Sequence, residues 1–214
     1  MILGCLKCDA HASDAGDAFV YFGGSSMNNV VDVNLVLPEA GDIYDSFGGS
    51  VSDAGDVNND GYADVIVGCE YCEVSGANAG DAFIYLGSAS MSNVADLNLE
   101  NPEADETNDH FGHSVSSAGD ANGDGYDDVI VGCLICDAHT DSGGDAFVYF
   151  GGASMNALVD VDLASPEPAF VDEYFGWTVS AAGDVNNDGR DDVVVGCHTC
   201  DGNGSDAGGA FVYR

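Results

Sequence analysis

The chain has 214 residues, 45% of them apolar, which is enough for one sizeable core and too many for a chain left disordered by lack of hydrophobicity. Its 38 acidic residues stand against Lys7, Arg190 and Arg214, a formal net charge of −35, and such a surface repels nucleic acid and anionic lipid, so neither is an expected partner. No run approaches the roughly 18 apolar residues of a membrane-spanning helix, and the charge implies salty or divalent-rich surroundings, halophilic or calcium-loaded.

The first eight residues, Met-Ile-Leu-Gly-Cys-Leu-Lys-Cys, look like the start of a signal peptide. They align instead with Val194-Val-Gly-Cys-His-Thr-Cys200 and so belong to a repeat; any export signal is expected to be removed or to lie outside this sequence. Ala18-Phe19-Val20-Tyr21-Phe22 then reads as a strand. In the next piece Val31, Val33, Leu35 and Leu37 face one way and Asp32 and Asn34 the other, the pattern of a strand with one wet face, which Pro38 terminates.

At Phe47-Gly48-Gly-Ser50-Val51 a further strand begins and leads through Ala-Gly-Asp into Asp56-Val-Asn58-Asn-Asp60-Gly61-Tyr62-Ala-Asp64, followed at once by Val65-Ile66-Val67-Gly68. That last run is short and β-branched, as in a strand buried on both faces. The nine-residue segment recurs at Asp120, Asn122, Asp124, Tyr126 and Asp128, and again at Asp184, Asn186, Asp188, Arg190 and Asp192, spaced by 64 residues each time. Oxygen side chains at positions 1, 3, 5 and 9, with Gly at 6 to turn the chain, form a hard-ligand set for a hard cation. A backbone carbonyl at position 7 (Tyr62, Tyr126, Arg190) would add a further oxygen, because the side chains there share no chemistry. A plain Asp/Asn/Gly turn needs one or two such residues rather than five at fixed offsets. Mg²⁺ prefers fewer protein ligands and retained waters, so three Ca²⁺ ions, one per loop, are the expected cofactors.

Aligned on this period, the chain divides into a partial unit at 1–46 (strands 2 to 4), whole units at 47–110 and 111–174, and a partial unit at 175–214 (strands 1 to 3), all one continuous repeat domain. Each whole unit holds four short antiparallel strands with no helical periodicity, which describes an all-β array of propeller blades, about three and a third of them. That number is too few to close a ring, so an open array or part of a larger assembly is expected.

Phe-Gly-x-Ser-Val, Gly-Asp-x-Asn-x-Asp-Gly-x-x-Asp-Val-Ile-Val-Gly and Gly-Asp-Ala-Phe-Val-Tyr-Phe-Gly resemble the FG-GAP repeats of the integrin α-subunit propeller and its bacterial relatives. The resemblance covers nearly the whole chain. It implies Ca²⁺ in the loop between the first two strands of each blade, on Asp56, Asn58, Asp60, Tyr62 and Asp64 and their counterparts. It also implies a module that binds protein or carbohydrate ligands. The family usually closes seven blades, and this chain departs in blade number and in its cysteines.

Those cysteines form four Cys-x-x-Cys pairs, Cys5/Cys8, Cys69/Cys72, Cys133/Cys136 and Cys197/Cys200, one per repeat. An even number in an oxidising compartment fits disulfides, within a pair or between blades. Zinc would need two pairs brought together from successive blades, and a redox pair would need a helix N-terminus. His11 and His139 follow their pairs at one offset, where Ser75 and Asn203 stand in the other copies. His110 and His113 replace Ser46 and Gly49, and read as a surface feature of one blade. Asn203-Gly-Ser205 is a candidate glycosylation site. Catalysis brings dissimilar groups to one point, whereas this chain is nearly symmetric and carries no nucleophile elbow or phosphate-cradling glycine loop, so an enzyme is not expected. Two functions remain: a secreted, self-assembling calcium-binding structural protein whose terminal half-blades pair into a fibre or surface layer, and a ligand-binding module of a larger cell-surface protein.

Overall fold

A computed structural model of the chain describes residues 1–8, 15–38, 45–73, 77–99, 101–103, 108–136, 143–166, 173–200 and 207–214. Strands β1 (Ile2–Cys5), β2 (Asp17–Val20) and β3 (Val33–Leu35) form the first sheet. The second contains β4 (Phe47–Gly55), β5 (Asp64–Cys69), β6 (Asp81–Tyr85) and β7 (Leu97–Leu99), and the third repeats it with β8 (Phe111–Gly119), β9 (Asp128–Cys133), β10 (Asp145–Tyr149) and β11 (Val161–Leu163). The fourth holds β12 (Phe175–Gly183), β13 (Asp192–Cys197) and β14 (Gly209–Tyr213). Every sheet is an antiparallel meander in chain order. No helix among the described residues is long and apolar enough to cross a membrane.

The burial pattern follows from the residues. Asp64–Cys69, Asp81–Tyr85 and their copies in the third sheet are buried along their whole length, as expected for short β-branched and aromatic strands in the middle of a stack. The core lies between successive sheets: one apolar cluster joins the first sheet to the second, another the second to the third, and a third the third to the fourth. Phe111 sits at the centre of the middle cluster, its ring 6.1 Å from that of Phe147 and 6.3 Å from that of Tyr149. Removing an aromatic ring buried this completely costs about 3–5 kcal/mol.

The Phe-Gly-x-Ser motif sets the distance between blades. Gly112 and Gly176 adopt φ of 80° and 84° at the bulge where the register of β8 and β12 shifts. Their carbonyls press on Gly68 and Gly132 of the preceding sheet, where an added Cβ would overlap them. The Ser50 hydroxyl accepts the Val115 amide at 3.0 Å and the Ser114 hydroxyl the Val179 amide at 3.1 Å, so first strand bonds to first strand across the stack.

The outer strands are shorter than the alternation of residues 31–37 predicts. β3 covers only Val33–Leu35, and Val31 is 37% exposed. At Val36 the chain leaves its own sheet and donates its amide to the Asn93 carbonyl at 2.7 Å, making an isolated bridge to Val94 in the next repeat. A cross-repeat bond thus replaces the last rungs of the ladder.

Candidate cation-binding loops

Each loop spans the turn from the first strand of a blade to the second. In the loop at 56–64, the Asp56 carboxylate accepts the amides of Asp60 (2.9 Å) and Gly61 (2.8 Å), Asn58 Oδ1 accepts the Asp60 amide at 2.9 Å, and Asp60 Oδ1 accepts the Tyr62 amide at 3.0 Å. The copy at 120–128 repeats this: Asp120 accepts the amides of Asp124 and Gly125, both at 2.9 Å, Asn122 that of Asp124 at 2.8 Å, and Asp124 that of Tyr126 at 3.0 Å. At 184–192, Asp184 accepts the amides of Asp188 (3.0 Å) and Gly189 (2.9 Å), and Asp188 that of Arg190 at 3.1 Å. Two left-handed residues bend each loop: Asn59, Gly123 or Asn187 at position 4, and Gly61, Gly125 or Gly189 at position 6 with φ of 90°, 92° and 90°. Position 4 had no role in the sequence pattern. It needs a residue that tolerates the left-handed region, which is why only Asn and Gly occur there.

The ninth residue differs from the rest, because it opens the buried second strand. Asp64, Asp128 and Asp192 are all buried, while the other oxygen donors lie toward solvent. Asp64 accepts the Gly87 amide at 2.7 Å and the Val57 amide at 2.9 Å; Asp128 accepts those of Gly151 at 2.8 Å and Ala121 at 3.0 Å. Burial pushes Asp64 up to about 6 in spite of these bonds, and the charges of Asp60 and Asp56 add to the rise. Asp128 is likewise raised to about 6, first by burial and in part by Asp124. Such a set suits a divalent ion. The donors are all hard oxygens, each carboxylate keeps at least one lone pair beyond its amide bonds although Asp120 Oδ1 and Asp128 Oδ2 accept two amides each, and the carboxylates stand close enough to repel one another. Asp56, Asn58, Asp60 and Asp64, with the Tyr62 carbonyl, would hold the ion in the first loop, and their counterparts would do so in the other two.

At the opposite end of the blades each Cys-x-x-Cys pair is closed on itself: Cys5 is bonded to Cys8, Cys69 to Cys72, Cys133 to Cys136 and Cys197 to Cys200. This corrects two alternatives that the spacing left open, a bond between neighbouring blades and a zinc ion shared by two pairs. The physical reason is the tight turn that follows the second strand. The Cys8 amide donates to the Cys5 carbonyl at 3.4 Å and the Cys72 amide to the Cys69 carbonyl at 3.2 Å. In the four pairs the Cα atoms stand 5.6, 5.4, 5.5 and 5.6 Å apart, the separation a disulfide spans. Cys72, Cys136 and Cys200 are fully buried, whereas Cys8, on the first sheet, is only half-buried. No free cysteine is among the described residues, and although Glu173 lies within 4.8 Å of the Cys197 and Cys200 sulfurs, those sulfurs are bonded to each other.

His110 and His113 both turn Nδ1 toward one carboxylate oxygen of Glu70, at 2.8 and 3.1 Å. His113 is 5.0 Å from the Trp177 ring, which stacks on His198 at 4.5 Å. These residues form a row across three sheets that the sequence pattern did not join, because it depends on which blade edges meet. His11, His139 and the Asn203 sequon lie outside the described residues.

Tandem antiparallel four-strand blades with oxygen-lined loops between first and second strands define a propeller-blade repeat protein. Residues 175–213 match the FG-GAP repeat. Integrin alpha-2 of Bos taurus is 31% identical over 176 residues, 80% of this chain and 15% of that protein. Integrin alpha-6 of Homo sapiens is 31% identical over 144 residues (66% and 12%), and Integrin alpha-8 of Gallus gallus 27% over 205 residues (90% and 18%). The chain carries an FG-GAP repeat at 175–213 and is similar to the integrin α-subunit over most of its own length, and it spans less than a fifth of the length of these curated relatives.

Proposed function

We propose that the chain is a non-catalytic, calcium-binding adhesion module of a secreted or cell-surface protein, holding one Ca²⁺ in each loop and presenting its other blade end to a protein or carbohydrate ligand. The single observation that carries this reading is the thrice-repeated cage: Asp56, Asp120 and Asp184 each gather the fifth and sixth amides of their own loop, so the three loops present the same oxygens in the same order. Four disulfides and similarity to integrin α-subunits support an extracellular location. Isothermal titration of Ca²⁺ into the chelator-stripped chain is expected to give three sites. Asp60→Ala should remove one of them and weaken its own blade first, since near-neighbour coupling dominates in repeat arrays. Absence of any calcium binding would end the reading, and ligand capture that is unchanged by EGTA would separate adhesion from the ion.

Self-association into a fibre or surface layer is a second reading. The observation in its favour is that Leu3 on β1 and Val212 on β14 are 51% and 50% exposed in the first and last sheets. Sedimentation in millimolar calcium tests it: regular polymers support it, and a concentration-independent monomer removes it.

A further inference from the structure

The loops touch one another, through residues outside the ligand pattern. Asp127, eighth in the second loop, accepts the amide of Asp56 on Oδ2 at 2.7 Å, and its own amide donates to the Asp56 carbonyl at 3.3 Å. Asp191 holds Asp120 in the same way, at 3.1 Å for both bonds. The first ligand residue of two loops is therefore gripped at both backbone polar groups by the eighth residue of the next loop. Gly55 and Gly119, with φ of 78° and 66°, leave the space this requires, since an added Cβ would overlap the Asp127 or Asp191 carboxylate. Asn59 Nδ2 also donates to the Gly125 carbonyl at 3.1 Å, and the Arg190 side chain lies 3.4 Å from where a Cβ on Gly123 would stand.

We propose that Asp127 and Asp191 are positioning residues that couple neighbouring cation loops, so that an ion in the 120–128 loop raises the affinity of the 56–64 loop, and an ion in the 184–192 loop raises that of the 120–128 loop. The proposal rests on the reading of the loops as calcium sites. Without an ion, the carboxylates of a loop repel and its backbone fluctuates, and Asp127 fluctuates with it. Once the second loop is ordered, Asp127 holds Asp56 in place and the first ion no longer has to bear that ordering cost. The coupling is reciprocal by linkage.

Tb³⁺ in place of Ca²⁺ reads the loops separately, because Tyr62 and Tyr126 occupy position 7 of the first two loops and Arg190 that of the third. In a full-length Tyr126→Phe parent, tyrosine-sensitised emission reports the 56–64 loop, with Tyr62→Phe/Tyr126→Phe as background. Asp127→Ala, a change in the second loop, is expected to move the first-loop midpoint to about tenfold higher Tb³⁺. Asp127→Asn keeps the accepting oxygen while losing the charge, and should recover most of that shift. The other junction gives an independent reading, with Asp191→Ala moving the second-loop midpoint by a similar factor in a Tyr62→Phe parent. Midpoints within about twofold of the parents, or an Asn variant as weak as the Ala variant, overturn the coupling while leaving the cation reading intact. Parents that show no sensitised emission remove the cation reading and the coupling with it.

Discussion

The two ends of the blades are built on different rules. At the loop end, three copies place like residues at like positions and make the same amide-to-carboxylate bonds. At the other end, equivalent positions carry Ser46, His110 and Tyr174, then Gly49, His113 and Trp177, then Glu70, Leu134 and His198. A structural ion requires the same cage each time, whereas recognition requires unlike groups converging on one surface. On the proposed function, sameness along the stack belongs to folding, and individuality to contact with a partner.

The proposed calcium sites give the most severe way to break that contrast, by removing their ions. Stripping divalent ions with EGTA is expected to lower the melting temperature by more than about 10 °C, since a site filled at about a hundred times its dissociation constant adds about 2.7 kcal/mol and each kcal/mol is worth about 2–4 °C at this size. An unchanged calorimetric melt would make the cages ordinary turns. Next in size is the seam between blades. Gly132→Ala forces a Cβ against the Gly176 carbonyl of the next sheet, whereas at Gly196 the nearest atom is the Thr178 hydroxyl, which can rotate away. Urea unfolding should show a loss of about 2–3 kcal/mol for the first and under about 1 kcal/mol for the second. Equal losses would mean that the glycine matters for its own strand and not for the seam.

The all-β blade architecture was legible because period, alternation and β-branched runs are local properties. Asp64–Cys69 is buried from end to end as its composition predicts, and the Phe-Gly-x-Ser segments, with Thr178 in place of Ser in the last copy, begin the first strands. What escaped depends on neighbours brought together by stacking. Asp127 and Asp191 have no place in the ligand pattern read from the sequence, and only the juxtaposition of successive loops shows that they bond Asp56 and Asp120. Glu70 belongs to no sequence motif, and the stacking of the second and third sheets sets it against His110 and His113. Spacing alone did not decide where Cys8, Cys72 and Cys136 find their partners, because that depends on the turn each one closes with the cysteine three residues before it. The outer strands failed differently: residues 31–37 alternate correctly, but the bond from Val36 to Asn93 ends the pairing early.

At the end opposite the loops, Glu70 gives a smaller effect with a defined sign. Burial alone would raise its pKa, but the hydrogen bonds and charge of His110 and His113 outweigh that and hold it at about 2, against 4.5 for a free glutamate. A depressed carboxyl stabilises the fold fully above the free value, and loses that contribution as pH falls from about 4.5 toward 2. Glu70→Gln should therefore be less stable than wild type at pH 6 by no more than about 3 kcal/mol, and the gap should narrow at pH 3. A gap independent of pH would show that the glutamate acts by packing.

Trp177 should give the smallest stability change. Its ring is 37% exposed, stacks at 21° on His198 and stands 6.3 Å from Tyr174, at the outer end of the row that starts from Glu70. An aromatic pair contributes about 0.5–1.5 kcal/mol beyond the area it buries, so Trp177→Leu, which keeps much of that apolar area, should cost no more than that in a chemical melt. A larger loss would place the tryptophan in the framework and erase the division between the two ends. A small loss in stability accompanied by a large loss of ligand capture would instead mean that the dissimilar residues are retained for what they touch outside the chain, because their contribution inside it is too slight to account for them.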